Sequence, residues 1–142
     1  MPLEQNNLVG SIPSELSHLT GLTRISLEKG MLHGKIPTSF GSLASLLELD
    51  LDYNSLTGSI PQELEQLSQL ILLDLNNNLL TGDINVIAQL TKLQFLQLHE
   101  THVSGAIPEQ MKDMKDLSKL AVVSVLHPFG ICCSRYTLTC QD

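Results

Sequence analysis

Leucine recurs along this chain at a nearly fixed interval. Leu22, Leu46, Leu70, Leu93 and Leu117 are separated by 24, 24, 23 and 24 residues. Further apolar residues return at the same offsets within each block. A period of about 20–50 residues is typical of arrays of one short supersecondary unit, because a single unit cannot bury its own apolar side chains. We therefore expect stacked units that share one core, with stability roughly additive along the stack.

Two local patterns follow each other inside a block. Residues 46–54 read LLELDLDYN, where Leu49 and Leu51 alternate with acidic residues, the period-two pattern of a strand with one buried face. The glycine of the tag that follows suits a turn with positive φ, and its proline can open a helical turn. Asn85 replaces this proline in the block that is one residue shorter, so we expect that unit to be distorted. The tags are LVGSIP (8–13), LHGKIP (32–37), LTGSIP (56–61), LTGDIN (80–85) and VSGAIP (103–108).

These tags and offsets resemble the plant type of the leucine-rich repeat family over about residues 3–126. The resemblance implies a fold of the α/β class, a right-handed solenoid or horseshoe. It implies a parallel β-sheet on the concave side, short helical or 3-10 turns on the convex side, and a second strand near each tag. We predict a solenoid domain over residues 1–126, with about five coils of 23–24 residues starting in mid-repeat, and a cysteine-containing C-terminal cap or tail over residues 127–142.

An asparagine follows several of the predicted strands. Asn6, Asn54 and Asn78 occupy this place, whereas Gly30 and Thr101 replace it in two copies. An asparagine amide at a buried turn can bond backbone groups of neighbouring coils. Glycine has no side chain for this purpose, so we expect a water or a neighbouring residue to substitute at Gly30.

The array begins in the middle of a unit. Leu8, Ile12, Leu16 and Leu19 are core-type residues with no complete coil before them, and repeat arrays need polar end caps. We therefore expect the chain to be a piece of a longer repeat protein. The alternative is a self-contained small solenoid that residues 1–21 cap.

Composition and motifs argue against several classes of function. The chain has 8 Lys+Arg and 15 Asp+Glu, a formal charge of −7, which disfavours binding to the phosphates of nucleic acids. No run of about 18 apolar residues is present, so we expect no membrane span, and residues 1–10 lack the basic and apolar regions of a signal peptide. His99 and His102 stand at i and i+3, not at the i and i+4 of a zinc-protease helix, so we interpret them as solvated loop residues. We predict neither an enzyme nor a cofactor.

Three cysteines lie near the C-terminus, Cys132, Cys133 and Cys140. Adjacent cysteines rarely bond to each other, because disulfide geometry constrains the backbone. The resemblance implies a cysteine-stapled cap, in which Cys132 or Cys133 would pair with Cys140 in an oxidising, extracellular location. Free thiols are one alternative. A zinc site of His127 with the cysteines is another, although the C-x2-C spacing that zinc knuckles favour is missing.

The outward positions of the predicted strands form columns across the concave face. The columns contain Arg24, Glu48, Leu72, Phe95 and Lys119; then Ser26, Asp50, Asp74, Gln97 and Ala121; and then Glu28, Asp52, Asn76, His99 and Val123. Because strands stack about 4.8 Å apart, this arrangement places carboxylates beside apolar and aromatic side chains. We predict a ligand-binding site formed by Glu28, Glu48, Asp50, Asp52, Tyr53, Leu72, Asp74, Phe95 and His99.

We predict that this face binds a protein or peptide ligand, and the carboxylates favour a basic one. The resemblance implies an extracellular protein or the ectodomain of a membrane protein, as in receptor-like and secreted members of the family. The competing hypotheses are a structural, adhesion or enzyme-inhibitor protein of the extracellular matrix or cell wall, and carboxylates that only keep the solenoid soluble.

Two further expectations concern the acidic residues. Asp50 and Asp74 face each other on adjacent strands, so we expect them to repel each other and expect replacement of both by asparagine to stabilise the fold. A calcium ion held by Asp50, Asp52, Asp74 and Asn76 is an alternative hypothesis, although a flat strand rarely surrounds an ion with the usual ~6–8 oxygen ligands.

Overall fold

The computed structural model describes residues 8–114, 117–122, 131–134 and 137–139. Its strands are short, as expected from the brief alternating segments of the sequence. They are β1 Val9–Ser11, β2 Arg24–Ser26, β3 Met31–Gly34, β4 Glu48–Asp50, β5 Ser55–Ser59, β6 Leu72–Asp74, β7 Leu79–Asp83, β8 Phe95–Gln97, β9 His102–Ser104, β10 Lys119–Val122, β11 Ile131–Ser134 and β12 Thr137–Thr139.

The strands form two sheets along the solenoid. The concave sheet has the order β12-β11-β10-β8-β6-β4-β2, and β2, β4, β6, β8 and β10 are parallel. A second sheet has the order β1-β3-β5-β7-β9, also parallel. Both sheets that the family resemblance implies are therefore present. We name the coils by their residues: coil 1 is 22–45, coil 2 is 46–69, coil 3 is 70–92 and coil 4 is 93–114.

The register of the concave sheet confirms the predicted columns where the structure describes them. Backbone hydrogen bonds continue the third column past the strand ends. Lys29 N donates to Asp52 O at 3.0 Å, and Asn77 N donates to His99 O at 3.0 Å. The aligned sets within the strands are Arg24, Glu48, Leu72, Phe95 and Lys119, and Ser26, Asp50, Asp74, Gln97 and Ala121.

Five 3-10 turns lie on the convex side of the described coils. They are Ser14–His18, Thr38–Ser42, Gln62–Gln66, Ile84–Ile87 and Glu109–Asp113. A proline with extended ψ precedes each turn except Ile84–Ile87, which is one residue shorter. There the Asp83 side chain accepts a hydrogen bond from Asn85 N, and Ala88 closes the turn in the right-handed helical region, unlike the other closing residues. The predicted distortion of this unit is confirmed.

Repeated aliphatic side chains fill the space between the sheets and the turns. The aromatic ring of Phe40 packs among them and is fully buried. Leu8 and Leu19, in the first half-coil, are 41% and 54% exposed, as expected for core-type residues at the end of a stack. Ile107 is 37% exposed, although its equivalents in coils 1 to 3 are buried, because β9 is the last strand of the second sheet among the described residues.

Asparagine side chains connect successive coils at the ends of the concave strands. Asn54 Nδ2 donates to Leu27 O at 2.8 Å in the preceding coil, and Asn54 Oδ1 accepts from Leu32 N at 3.0 Å. Asn78 makes the equivalent bonds to Leu51 O and Leu56 N of coil 2, so these contacts form a regular ladder, and the expected substitute at Gly30 stays a prediction. Thr101 Oγ1 donates to the backbone of its own coil. Asn6 lies outside the described residues.

The C-terminal strands change direction. β11 pairs antiparallel with β10, and β12 pairs antiparallel with β11. The backbones of Cys132 and Cys133 lie in β11, whereas Cys140 and His127 lie outside the described residues. The disulfide pairing, the zinc alternative and the division at residue 126 stay predictions. Within the described ranges, no helix is long and apolar enough to cross a membrane.

Candidate functional site

The nine predicted site residues lie on the concave side of four adjacent coils. Their exposure differs widely across the face. Tyr53 is 52% exposed and Phe95 is 38% exposed, so both offer aromatic surface to a partner. Asp74 is only 6% exposed, and the other members are partly buried. We refer to this set as the concave face.

Three carboxylates come together at the centre of the concave face. One oxygen each of Glu28, Asp50 and Asp52 lies within 4.8 Å of the others, and we call these residues the carboxylate cluster. Burial, with a smaller contribution from a hydrogen bond with Glu28, raises the pKa of Asp50 from 3.8 to about 7. Burial and then the charges of Asp74 and Glu28 raise the pKa of Asp52 to about 6, against opposing effects of Lys29 and His99. The cluster therefore holds protons at mildly acidic pH.

Asp74 differs from the carboxylate cluster because polar side chains surround it. Its carboxylate accepts hydrogen bonds from the backbone and side-chain amides of Asn76 and from Gln97 Nε2. The expectation that Asp74 and Asp50 are a simple repelling pair is therefore wrong in part. The charge of Asp74 contributes to the raised pKa of Asp50, but its oxygens are satisfied by neighbouring amides.

Of the four residues expected to hold calcium, the fold groups Asp50 and Asp52 with Glu28 instead of with Asp74 and Asn76. The grouped oxygens belong to Glu28, Asp50 and Asp52, while Asp74 and Asn76 bond each other. Three carboxylates from adjacent strands suit a cation that prefers oxygen, but they supply fewer than the ~6–8 ligands usual for calcium. The calcium hypothesis therefore loses the specific ligand set on which it was based.

Cations lie at one edge of the face. Arg24 Nη2 lies 2.6 Å from Glu48 Oε2, in a pair that is largely exposed on the arginine side. Lys29 Nζ lies 3.9 Å from Glu28 Oε1. Exposed pairs of this kind contribute about 0–1 kcal/mol to stability. Asp50 and Asp52 have no such ion pair among the described residues. Asp50 and Asp52 are thus not neutralised by a cation, and within coils 1 to 4 the paired cations of the face lie at its coil 1 edge.

The interpretation of His99 as a loop residue is confirmed, since it lies in a turn, but the side chain is not fully solvated. His99 is partly buried, and its buried Nδ1 atom finds no hydrogen-bond partner among the described residues. Its burial follows from its place in the third column, beside Asn76 of the neighbouring coil. His102 is exposed, but it begins β9 rather than lying in a loop.

One repeated backbone feature at the end of each concave strand was not predicted. Lys29, Tyr53, Asn77 and Glu100 all have positive φ, between 48° and 52°. Such conformations are uncommon for residues with a side chain and are often found at functional sites. At Tyr53 this conformation presents an exposed ring beside the carboxylate cluster. The sequence signal was available, because these residues share one repeat position, directly before the asparagine or the residue that replaces it.

The face combines features that suit the binding of a basic peptide segment. Exposed aromatic rings supply apolar contact and attract cations through their π faces. The carboxylate cluster supplies negative charge that can pair with lysine or arginine. Exposed rings beside a partly buried acidic centre therefore match the apolar and charged parts of such a segment.

Comparison with known proteins agrees with the repeat architecture. The sequence profile described as Leucine Rich Repeat matches residues 45–67. The plant peptide hormone receptor RGFR1, solved in complex with RGF2, is 36% identical with a TM-score of 0.81 over 84% of this chain and 19% of that chain. The leucine-rich repeat ectodomain of the receptor kinase SOBIR1 from Arabidopsis thaliana is 33% identical with a TM-score of 0.77 over 80% of this chain and 61% of that chain.

A third structure, of a plant ice-binding protein, is 34% identical with a TM-score of 0.68 over 75% of this chain and 35% of that chain. No curated protein sequence matches the chain. The chain thus spans between 19% and 61% of the length of these three structures. The matched profile, the two parallel sheets and the similarity to plant receptor ectodomains agree with one another, and the chain belongs to the leucine-rich repeat family.

Proposed function

We propose that this chain is a non-enzymatic recognition module whose concave face binds a basic segment of a protein or peptide. The site consists of Glu28, Glu48, Asp50, Asp52, Tyr53, Leu72, Asp74, Phe95 and His99. The observation that supports it most is that one sheet face carries the carboxylate cluster, exposed Tyr53 next to Asp52 in the chain, and exposed Phe95 two strands from Asp50. The printed descriptions of similar structures, a peptide hormone receptor in complex with RGF2 among them, support the same class of function.

The location and the cap belong to the same proposal. The similar structures described as ectodomains support an extracellular role for this chain. An oxidising location would allow Cys132 or Cys133 to pair with Cys140 and to staple the C-terminal residues 127–142 as a cap. Non-reducing mass spectrometry of the purified chain tests this pairing, and three alkylatable thiols in the natively secreted protein would contradict it.

A peptide selection tests the binding function. The immobilised chain is used to select peptides from a displayed random library, and the affinities of the selected peptides are then measured by calorimetry. We expect the selected peptides to be enriched in lysine and arginine, because the centre of the face is acidic. The test variant combines Tyr53→Asn with Phe95→Ser. Asparagine suits position 53, because Asn77 has the same positive φ at the equivalent place in the next coil.

The matched control removes an equally exposed apolar side chain from the other sheet. Leu79 is 52% exposed on β7, and Leu79→Ser leaves the concave face unchanged. We expect the concave variant to weaken binding by at least about tenfold, or ~1.4 kcal/mol, and the control to leave it unchanged. Selected peptides that bind the concave variant as tightly as the parent chain would contradict the proposal.

A second candidate function is ice binding by the outer face of the second sheet. This function is closer to the structural hypothesis than to peptide recognition. The similarity to a structure described as a plant ice-binding protein is the reason to test this function. Hydroxyl groups in a regular array can order water. Among the exposed residues described there, the carboxylate is Asp83 and the hydroxyl-bearing residues are Ser11, Ser55, Thr57, Ser59, Thr81 and Ser104.

Thermal hysteresis and ice recrystallisation measurements test this candidate. If the second sheet binds ice, Thr57→Lys with Thr81→Lys should abolish the activity, because bulky charges disrupt the array of hydroxyls. The concave variant Tyr53→Asn with Phe95→Ser should retain the activity. Parent protein that neither depresses the freezing point nor slows recrystallisation would exclude ice binding and leave peptide recognition as the proposal.

A further inference from the structure

A notch with a volume of about 390 Å³ opens on the convex side between coils 2 and 3. It lies where the 3-10 turns Gln62–Gln66 and Ile84–Ile87 approach each other. Its size is within the range of ~300–1,000 Å³ usual for ligand pockets. The lining residues are Ser59, Ile60, Gln62, Glu65, Asp83, Asn85 and Val86. None of them belongs to the concave face.

The notch exists because the repeat is interrupted at this place. The turn in coil 3 is one residue shorter than its neighbours, and Asn85 stands where other coils have proline. Between coils 1 and 2 the turns pack without a gap, since a Cβ atom on Gly41 would lie only 2.4 Å from the Glu63 carbonyl oxygen. Glu65 stands 24 residues after Gly41, at the same repeat position. A long charged side chain therefore occupies a place where close packing requires glycine one coil earlier.

Other coils have small residues at this position. Ser17 and Ala88 occupy it in the half-coil and in coil 3, and both are buried. Glu65 is partly buried, and it forms no ion pair with Lys, Arg or His among the described residues. Glu65 therefore gives the notch a negative charge that no lining cation neutralises, which favours a positively charged partner.

The other lining groups define what that cation would be. Asp83 adds a second carboxylate, and no cationic side chain lines the notch. Ile60 and Val86 provide apolar surface for an aliphatic stem, while the charged head can reach carboxylate and amide oxygens. A guanidinium group matches this set best, because its planar fork of donors can bond several oxygens at once.

We propose that the notch is a second binding site, separate from the concave face, that takes an arginine side chain of a partner protein. The site is specific to the interruption between coils 2 and 3, where the short turn leaves space for the head group beside Glu65. It does not depend on the function proposed for the concave face. Its ligand approaches from the convex side of the solenoid.

Binding of a minimal probe tests this proposal. Titration with N-acetyl-arginine methylamide is followed by amide NMR, and the isosteric, uncharged citrulline derivative is titrated in parallel. We expect saturable shifts at the amides of Ser59, Asn85 and Val86 for arginine, with an apparent affinity at least about tenfold higher than for citrulline. Equal shifts with citrulline, or shifts confined to the concave strands, would overturn the proposal.

Matched variants assign the effect to the notch. Glu65→Gln removes the charge, and Glu63→Gln removes an exposed charge from the same turn outside the notch. We expect the arginine response to fall at least about fivefold in Glu65→Gln and to be unchanged in Glu63→Gln. Glu65→Ala provides a second test, since small residues occupy this position in neighbouring coils, and it should also lose the response. Variants at residue 65 that fold and respond like the parent would refute the proposed site.

Discussion

Replacement of Asn78 by alanine should be among the most destabilising single changes on the surface between coils 2 and 3. Asn78 is 3% exposed, and its side chain joins backbone groups of both coils. Its Nδ2 atom donates to Leu51 O at 2.9 Å and to Leu75 O at 3.1 Å. Its Oδ1 atom accepts from Leu56 N at 3.0 Å. Alanine offers none of these bonds and leaves the backbone groups buried.

The size of the loss follows from these partners. A buried amide left without an acceptor costs about 1–3 kcal/mol, and each carbonyl that loses a neutral hydrogen bond costs about 0.5–1.5 kcal/mol. The sum for one amide and two carbonyls is about 2–6 kcal/mol, and a water that enters the space would place it near the lower end. Because domains are stable by only about 5–15 kcal/mol, the change should remove a large part of the stability.

Urea unfolding followed by far-UV circular dichroism measures this effect. Asn85→Ala is the matched control, because Asn85 is exposed and its side chain bonds Asp83 in its own turn. Asn78→Thr should recover part of the loss, since Thr101 holds the equivalent place with a hydroxyl that bonds Leu98 O at 2.6 Å. A midpoint for Asn78→Ala equal to that of Asn85→Ala, or threonine no better than alanine, would refute the account of the asparagine ladder.

One change of pH and three substitutions also have expected outcomes. The pKa of Asp50, raised from 3.8 to about 7 by burial, means that the folded state holds a proton that the unfolded chain releases. The free energy of unfolding should therefore be highest at low pH and fall as pH rises from about 4 to 7. The expected fall is about 1–2 kcal/mol after allowance for solvent screening. A urea midpoint that rises over this range would contradict this prediction. Asp50→Asn should flatten this pH profile and stabilise the fold near pH 7. Asp74→Ala should destabilise the fold by about 1–3 kcal/mol in thermal melts, because the amides that bond Asp74 lose their acceptor. Gly41→Ala should lower the melting temperature, because the new Cβ would lie too close to Glu63 O. Gly21→Ala should not lower it, because nothing lies within 4 Å of a Cβ there. Equal melting temperatures of the two variants would disprove the close packing of the turns.

The fold could be predicted because several independent local signals agree. The leucine interval, the alternation in residues 46–54 and the glycine and proline of each tag all favour the same coil. The shortened block with Asn85 was visible as an interruption, and the structure shows the expected distortion. The spacing of the leucines could not predict how far each side chain is buried. Ile107 has the pattern of a core residue but is exposed, because its cover depends on whether another strand follows β9.

The candidate site was predictable in position but not in its chemistry. Strand alternation and a constant interval place the acidic residues in columns, and the register follows. Whether a carboxylate is satisfied depends on side-chain contacts between coils that no period encodes. Asp74 is satisfied by Asn76 and Gln97, while Asp50 lies near Glu28. The position of Glu65 opposite the shortened turn could not be predicted either, because it depends on the space between coils 2 and 3.

The central claim, that the concave face is the binding surface, is tested most directly by amide-resolved hydrogen exchange of the chain with and without a peptide selected on it. Bound peptide should slow exchange at residues 48–53 and 72–77, which carry Asp50 and Asp52 of the carboxylate cluster and their neighbours on the next strand. Exchange in the second-sheet strands Ser55–Ser59 and Leu79–Asp83 should be unchanged. Protection confined to the second sheet or to the convex turns, with the concave residues unaffected, would contradict the account.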